Sequence, residues 1–303
     1  MKAVVLTAYG DVDKLEYKDL PDPRPGADQI KVRMHGASIN PVDWKLRSGA
    51  AQKMMPLELP AVLGRDVSGE VTEVGPGVTA FAVGDKVMGL VMGGYAEQVV
   101  AAVGAWAKVP PSLDLVDASA IPLVGLTGSQ LIEEAVKPKR GDVVLITGAV
   151  GGVGRAAVFT AKAAGVRVWA GVRGKQVTEA AELGAEGVVA LDDEASIARL
   201  PQLDGLADTV GGEATQKVLG KVKQGGTVGS VVGPPAGAKE RGLTVNAFMA
   251  HPDAKRLAEL GQAVAEGKLA IPIVKRVPLA EARAAQKQAE GHAGGKIILL
   301  GKA

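Results

Sequence analysis

One stretch of this 303-residue chain has the residue types and spacing to do chemistry: Thr147-Gly148-Ala149-Val150-Gly151-Gly152-Val153-Gly154. A glycine at 151 lets the backbone approach a pyrophosphate without a Cβ clash. A glycine at 154 allows a helix to pack closely on the preceding strand, and the free N–H groups of the helix start favour a phosphate. Read as Gly-x-Gly-x-x-Gly the string is imperfect, because Ala149 holds the first glycine position. Its context is stronger than its letters: it follows the apolar run Val143 to Thr147, opens an Ala-rich helix and begins a strand–helix–strand unit. The alternative is a plain tight turn in an α/β sheet. Dinucleotide binding is the expectation, with Gly148, Ala149, Gly151, Gly152, Val153 and Gly154 as cofactor contacts and Gly233 added beyond a later strand.

The identity of the dinucleotide is argued from the end of the next strand. A site for NAD usually places Asp or Glu about 20 residues on, to hold the ribose hydroxyls. Here the stretch is Trp169-Ala170-Gly171-Val172-Arg173-Gly174-Lys175, with no carboxylate before Glu179. An acid would repel a 2′-phosphate, whereas Arg173 and Lys175 would attract it through charge-assisted hydrogen bonds. NADP(H) is the expected cofactor; two solvated basic residues in a loop are the bland alternative.

The elements that must position this loop come in two kinds. Residues 1 to about 114 read as short strands broken by Gly, Pro and Asn, with Lys2 to Thr7, Ile30 to Met34, Gly69 to Val74, Asp85 to Leu90 and Ala96 to Ala101 as examples. That is the pattern of a compact, irregular β-barrel. Helical patterns follow at Asp117 to Ile121 and Gly125 to Ala135. Strands are expected at Val143 to Thr147, Val166 to Val172, Gly187 to Leu191, Leu206 to Val210, Gly226 to Val232 and Leu243 to Phe248, with helices at Gly152 to Ala164 and Lys175 to Leu183. Such alternation with short links means a parallel, doubly wound sheet. From His251 the chain holds one further helix, Ala254 to Glu266, and a closing strand, Lys296 to Leu300, too little to fold alone. The fold class is thus α/β, with residues 1–114 and 251–303 forming the β-rich domain and residues 115–250 the nucleotide domain.

Composition narrows the function. Cysteine is absent, which removes disulfides, thiolate nucleophiles and Cys-ligated zinc together. His35, His251 and His292 form no HxxxH or HExxH pair, so no metal site is expected. The 35 basic and 33 acidic residues nearly cancel and form no basic stripe, which argues against nucleic acid. The first residues turn polar too soon for a signal peptide, and no apolar run reaches the roughly 20 residues of a membrane span. A cytoplasmic protein is expected.

The loop also fits the Thr-Gly-x-x-x-Gly-x-Gly of short-chain dehydrogenases, but that family needs a downstream Tyr-x-x-x-Lys pair. Tyr9, Tyr17 and Tyr95 all lie upstream, and none stands four before a lysine. With a β-rich lobe first, the chain instead resembles the zinc-free quinone oxidoreductase (zeta-crystallin-like) branch of the medium-chain dehydrogenase/reductase superfamily. The resemblance is carried in order by Ala37 to Gly49, Pro60 to Val71, Val83 to Val87, Gly93 to Glu97, Gly125 to Thr127, Ala149 to Gly154 and Gly295-Lys296. It implies a GroES-like catalytic domain beside a Rossmann domain. Zinc-dependent relatives have a Cys where Asn40 stands and a His where Arg65 stands, so the resemblance implies zinc-independent hydride transfer to a quinone or similar electron-poor carbonyl compound.

The resemblance also implies that Asn40 and Thr127 lie near the nicotinamide, where an amide and a hydroxyl can donate to a carboxamide or substrate oxygen. An Asn before Pro41 could equally be a turn residue. Tyr95 could protonate an enolate, or simply pack beside Gly93 and Gly94. Asp43 and Asp66 are expected to cap or pair inside the barrel, and Arg65 to pair with one of them or face substrate. Two departures stand out: Gly128 follows Thr127 where Ala is usual, and Ala190 to Asp193 lacks the Tyr many relatives place near the adenosine phosphate. Reduction of an enone or enoyl thioester and non-catalytic NADPH binding are the competing functions. A homodimer is implied, through the sheet edge at Leu243 to Phe248.

Overall fold

A computed structural model describes residues 1–291 and 294–302, which leaves His292 outside the described residues. The chain begins with β1 (Lys2–Leu6), β2 (Leu15–Asp19), β3 (Gln29–Ser38), α1 (Pro41–Ser48), β4 (Ala61–Val62), β5 (Asp66–Val74), β6 (Lys86–Leu90), β7 (Gln98–Ala102) and β8 (Trp106–Lys108). It continues through α2 (Pro122–Gln130), β9 (Val143–Thr147), α3 (Gly152–Ala163), β10 (Arg167–Val172), α4 (Val177–Ala181), β11 (Gly187–Ala190), α5 (Glu194–Ala198), β12 (Leu203–Asp208), α6 (Gly212–Leu219), β13 (Val222–Ser230) and β14 (Thr244–Ala247). It closes with α7 (Ala254–Ala265), β15 (Ile273–Pro278), α8 (Ala282–Glu290) and β16 (Lys296–Leu300).

Two compact units result: Met1–Leu123 with Pro252–Ala303, and Val124–His251. The first break lies at Leu123 rather than 114. The cause is a 3-10 turn at Asp117–Ala120 that packs on β3. Gly36 of β3 leaves the room, since a Cβ there would lie 2.7 Å from the Val116 carbonyl oxygen and 2.8 Å from Ser119 Oγ.

In the first unit β3 is the spine. Its side chains alternate between half-buried and buried, placing Ile30, Val32 and Met34 in one core with Val67, Val71 and Trp106. β5 and β7 pair with it antiparallel, and β16 returns from the C-terminus to pair Ile298 with Ser38 and Leu299 with Ala37. A separate three-stranded sheet runs β2-β1-β4. The last segment holds more than one helix and one strand. α8 buries Ala282, Ala285 and Gln286, so its buried stripe is built from small and polar side chains. β15 carries a Lys and an Arg in its middle and buries mainly Val277.

The second unit is a six-stranded parallel sheet in the order β11-β10-β9-β12-β13-β14. The order reverses between β9 and β12, the crevice where ligands bind at the carboxyl ends of strands. β9 is buried along all five residues. Val144 and Ile146 join the core on one face, and Val143 and Leu145 the core on the other. Short helices α5 and α6 fill links for which the sequence reading named no helix. Among the described residues, no helix is long and apolar enough to cross a membrane.

α2 carries Gly128 onto α3: a Cβ at 128 would lie 2.3 Å from the Val153 carbonyl oxygen and 2.7 Å from the Ala157 nitrogen. An alanine would gain about 1 kcal/mol of helix propensity, yet forcing its methyl against rigid backbone costs about 1–3 kcal/mol. The clash wins, which explains the departure from the usual Ala. Gly128→Ala is expected to lower the thermal midpoint by several degrees; an unchanged or raised midpoint in calorimetry would refute this packing.

Candidate active site and cofactor cradle

The polar centre of the first unit starts at the end of β3. Ser38, Asn40, Asp43 and Asp66 are buried, and Lys296 is only 7% exposed. Such charges are tolerated only when paired and hydrogen-bonded. Asp66 Oδ2 accepts from Ser38 Oγ at 2.5 Å, Asn40 Nδ2 at 2.8 Å and Lys296 Nζ at 3.1 Å, while Oδ1 accepts from the Leu123 N–H at 2.6 Å. Lys296 Nζ also donates to Asn40 Oδ1 at 2.6 Å. The asparagine amide is therefore held at both ends, its nitrogen also donating to the Ser38 carbonyl at 3.2 Å. No donor of Asn40 is left over for a nicotinamide or a substrate. It also precedes Pro41 at the start of α1, the turn role that its sequence allowed.

Asp43 and Asp66 are internal, as their sequence positions suggested. Asp43 Oδ2 accepts from the Asn40 N–H at 2.8 Å and from Tyr95 Oη at 2.7 Å. Tyr95 is fully buried, and its ring fills the space left by Gly64, where a Cβ would fall 2.5 Å from Cδ1. Burial, with the Asp43 carboxylate beside it, pushes the phenol well above its ordinary range. This geometry fits the packing alternative for Tyr95 rather than the enolate-protonating one: the ring is buried and its hydroxyl is taken up by Asp43. Gly93 has a left-handed φ of 76°, and the ring packs on Gly64 rather than on it. Arg65 pairs with neither aspartate. Its Nε donates to the Val91 carbonyl at 2.9 Å, and Nη1 lies 3.9 Å from Met55 Sδ.

The second unit gathers its candidates along one edge of the sheet. Gly148, with a left-handed φ of 64°, turns the chain off β9; a Cβ there would meet Thr209 Oγ1 at 2.6 Å. Gly154 is pressed on Gly148, its absent Cβ position lying 2.1 Å from that carbonyl oxygen. Ala149 is buried and donates its N–H to the Gly171 carbonyl at 3.2 Å, so a side chain at 149 points inward and glycine is not required there. Gly151 is exposed and caps α3 without any side-chain hydrogen bond. The first N–H groups of that 12-residue helix, from Gly152, Val153 and Gly154, are thus left for a ligand. These residues fit a dinucleotide diphosphate.

Arg173 and Lys175 follow β10 and are exposed, with no ion pair among the described residues. Asp192 occupies the stretch without the expected Tyr, and its carboxylate accepts the Gly174 N–H at 2.7 Å. Gly233, φ 106°, lies three residues past β13 with nothing within 4 Å of a Cβ position. Thr127 is 8% exposed, and its hydroxyl has no partner among the described residues.

Sequence reasoning missed one group. Asp208 ends β12 fully buried, and its Oδ1 accepts from Thr147 Oγ1 at 2.9 Å, Thr215 Oγ1 at 2.7 Å and the Gly211 N–H at 2.9 Å. Ser230 Oγ donates to Oδ2 at 3.1 Å. The signal was present: an acid closing an apolar strand, Leu206-Ala207-Asp208. Among the described residues, no grouping of three or more His, Cys, Asp or Glu is placed to hold a metal ion.

One consequence can be measured. Burial raises Asp43 to about 6, only partly opposed by its two hydrogen bonds. Its Oδ1 has no partner among the described residues, so a proton can sit there without breaking a contact. Between the ordinary carboxylate range and about pH 6 the folded state binds more protons than the unfolded one, and stability falls as pH rises through that window. Asp43→Asn is expected to flatten this slope in melting curves from pH 4 to 7; an unaltered slope would contradict the assignment.

Comparison with known proteins agrees with this geometry. Residues 26–111 match the alcohol dehydrogenase GroES-like domain and residues 183–299 the zinc-binding dehydrogenase domain. The chain is 30% identical over 322 aligned positions to the chloroplast envelope quinone oxidoreductase homolog of Arabidopsis thaliana, covering 99% of this chain and 98% of that protein. Among solved structures it is similar to the quinone oxidoreductase from Coxiella burnetii, with a TM-score of 0.90, 32% identity and coverage of 100% and 99%. A mycobacterial protein complexed with NADPH superposes with a TM-score of 0.82 at 28% identity, covering 99% of this chain and 100% of that one. A GroES-like domain match, a parallel-sheet unit with a glycine turn after its central strand, and full-length kinship place the chain, as an oxidoreductase, in the quinone oxidoreductase branch of the medium-chain dehydrogenase/reductase superfamily.

Proposed function

We propose that this protein is an NADPH-dependent reductase that passes a hydride to a quinone or an enone-like carbonyl compound without zinc. The observation that carries the reading is the uncapped start of α3 at the strand-order reversal, with two unpaired cations past the neighbouring strand. When bound, the reduced coenzyme supplies the hydride. The chain's part is to grip and orient. The N–H groups of residues 152–154 hold the diphosphate. Arg173 and Lys175 hold the 2′-phosphate, and Asp192, turned to the Gly174 amide, leaves both cations free. Thr127 offers its unpartnered hydroxyl to a carboxamide or substrate oxygen. Asn40 acts behind the surface, locked by Lys296 and Asp66. No side chain is needed as an acid, because a hydroquinone anion or enolate takes its proton from water.

We further propose a homodimer. β14 bonds to β13 along one edge only, leaving Thr244–Ala247 open to a two-fold copy. Sedimentation should give twice the chain mass; a monomer at micromolar concentration would reject the dimer.

A lost charge-assisted contact to phosphate is worth about 1.5–3 kcal/mol. Arg173→Ala should therefore weaken NADPH about 10- to 100-fold while leaving NADH within about 3-fold. Titration calorimetry with both coenzymes checks this, and unchanged NADPH affinity would remove Arg173 from the site. NADPH oxidation against a panel of quinones and enones tests the activity itself; coenzyme binding without turnover of any acceptor would leave a non-catalytic NADPH-binding protein.

A further inference from the structure

Acids as well as cations surround the chain just past β10. Asp192 is spent on the Gly174 N–H at 2.7 Å, and Glu179 sits in α4, four residues after Lys175. The 3-10 turn Gly174–Gln176 runs directly into that helix, so Lys175 and Glu179 stand about one turn apart along it. Opposite charges at that spacing ordinarily pair. Here they do not. Lys175 has no ion pair among the described residues, and the glutamate is taken by a residue of another helix.

That residue is Arg155, in the first turn of α3. Its Nη2 donates to Glu179 Oε1 at 2.6 Å, while its Nε donates to the Val150 carbonyl at 2.9 Å, inside the glycine turn. The arginine side chain is only 14% exposed, against 46% for the glutamate. The guanidinium is therefore fixed first, and the acid is drawn to it. A planar fork anchored in this way loses little further freedom in keeping its partner. For an anion bound at Arg173 and Lys175 the arrangement matters twice. Lys175 keeps its whole charge for the ligand, and the charge of Glu179 is offset rather than left to repel a phosphate.

We propose that Arg155 is a positioning residue that sets coenzyme selectivity: by holding Glu179 it leaves Lys175 open to the 2′-phosphate and masks a carboxylate one helical turn away. The proposal rests on the NADPH reading above and deepens it. Without Arg155 the glutamate turns to Lys175, and the phosphorylated coenzyme loses a cation. NADH, which lacks that phosphate, gains nothing from the arrangement and loses nothing with it.

The test measures NADPH and NADH affinities by titration calorimetry at low and at high salt. It uses the wild type, Arg155→Met, Glu179→Gln and the double variant, with Arg173→Ala as the control for the coenzyme reading. Each result is the ratio of the two affinities within one variant, so damage to the shared diphosphate turn cancels. Arg155→Met should lower the preference for NADPH about 3- to 10-fold. The fall should shrink at high salt, where exposed charges are screened. Adding Glu179→Gln should restore the wild-type ratio, because the acid to be masked is gone. Glu179→Gln alone should leave the ratio unchanged or raise it. An unchanged ratio in Arg155→Met, a fall that salt does not touch, a lower ratio in Glu179→Gln, or a double variant no better than Arg155→Met overturns the proposal while Arg173→Ala upholds the coenzyme reading. A wild type without preference for NADPH, or an Arg173→Ala ratio equal to the wild type's, overturns that reading and the proposal with it.

Discussion

Gly154 approaches the Gly148 carbonyl so closely that any side chain would collide with it, and the nucleotide unit is arranged around that contact. The approach pins the first turn of α3 against the end of β9. It thereby aims the free N–H groups of the helix start into the crevice where the strand order reverses. Everything nearby accommodates it. Thr209 sits beneath Gly148 and donates to the Thr147 carbonyl at 2.7 Å, and Gly128 lets α2 lie directly on α3. Asp208 gathers the ends of β9, β12 and β13 through Thr147 and Ser230. A backbone cradle preorganised in this way needs little reordering when an anion arrives.

The first unit solves a different problem, that of burying charge. Asp66 is fully buried in β-structure, and Lys296, returning on the last strand, brings the compensating cation. Breaking such a pair typically costs about 3–5 kcal/mol, because the remaining charge is stranded. The pair also ties the closing strand to the start of β5. Asp66 is satisfied internally, and Arg65 instead donates to the Val91 carbonyl.

Much of the second unit was legible because its signals are local. The five-residue run Val143–Thr147, the glycines that stop α3 and follow α4, and the Ala-rich helix between them give periodicity and punctuation together. The closing strand Lys296–Leu300 was readable for the same reason. α8 was not: its buried face is Ala, Ala and Gln, a helical period carried by small and polar side chains with no large apolar residue to mark it. β2 was missed because only Leu15 is buried, and α1 because its buried positions include Asp43 and Arg47. At the site, the glycine turn could be read from sequence since backbone clearance alone dictates residue type. The internal roles of Asn40 and Tyr95 could not, since both depend on Lys296 and Asp43 arriving from elsewhere in the chain. The meaning of Gly128 likewise emerged only from the distance to Val153.

The central claim is that the backbone amides opening α3 hold the coenzyme. The most direct measurement is a backbone amide NMR titration with NADPH. The account predicts that the Gly152, Val153 and Gly154 resonances shift most and saturate together with those of Arg173 and Lys175. NADPH binding that leaves these amides unmoved while shifting others would contradict it.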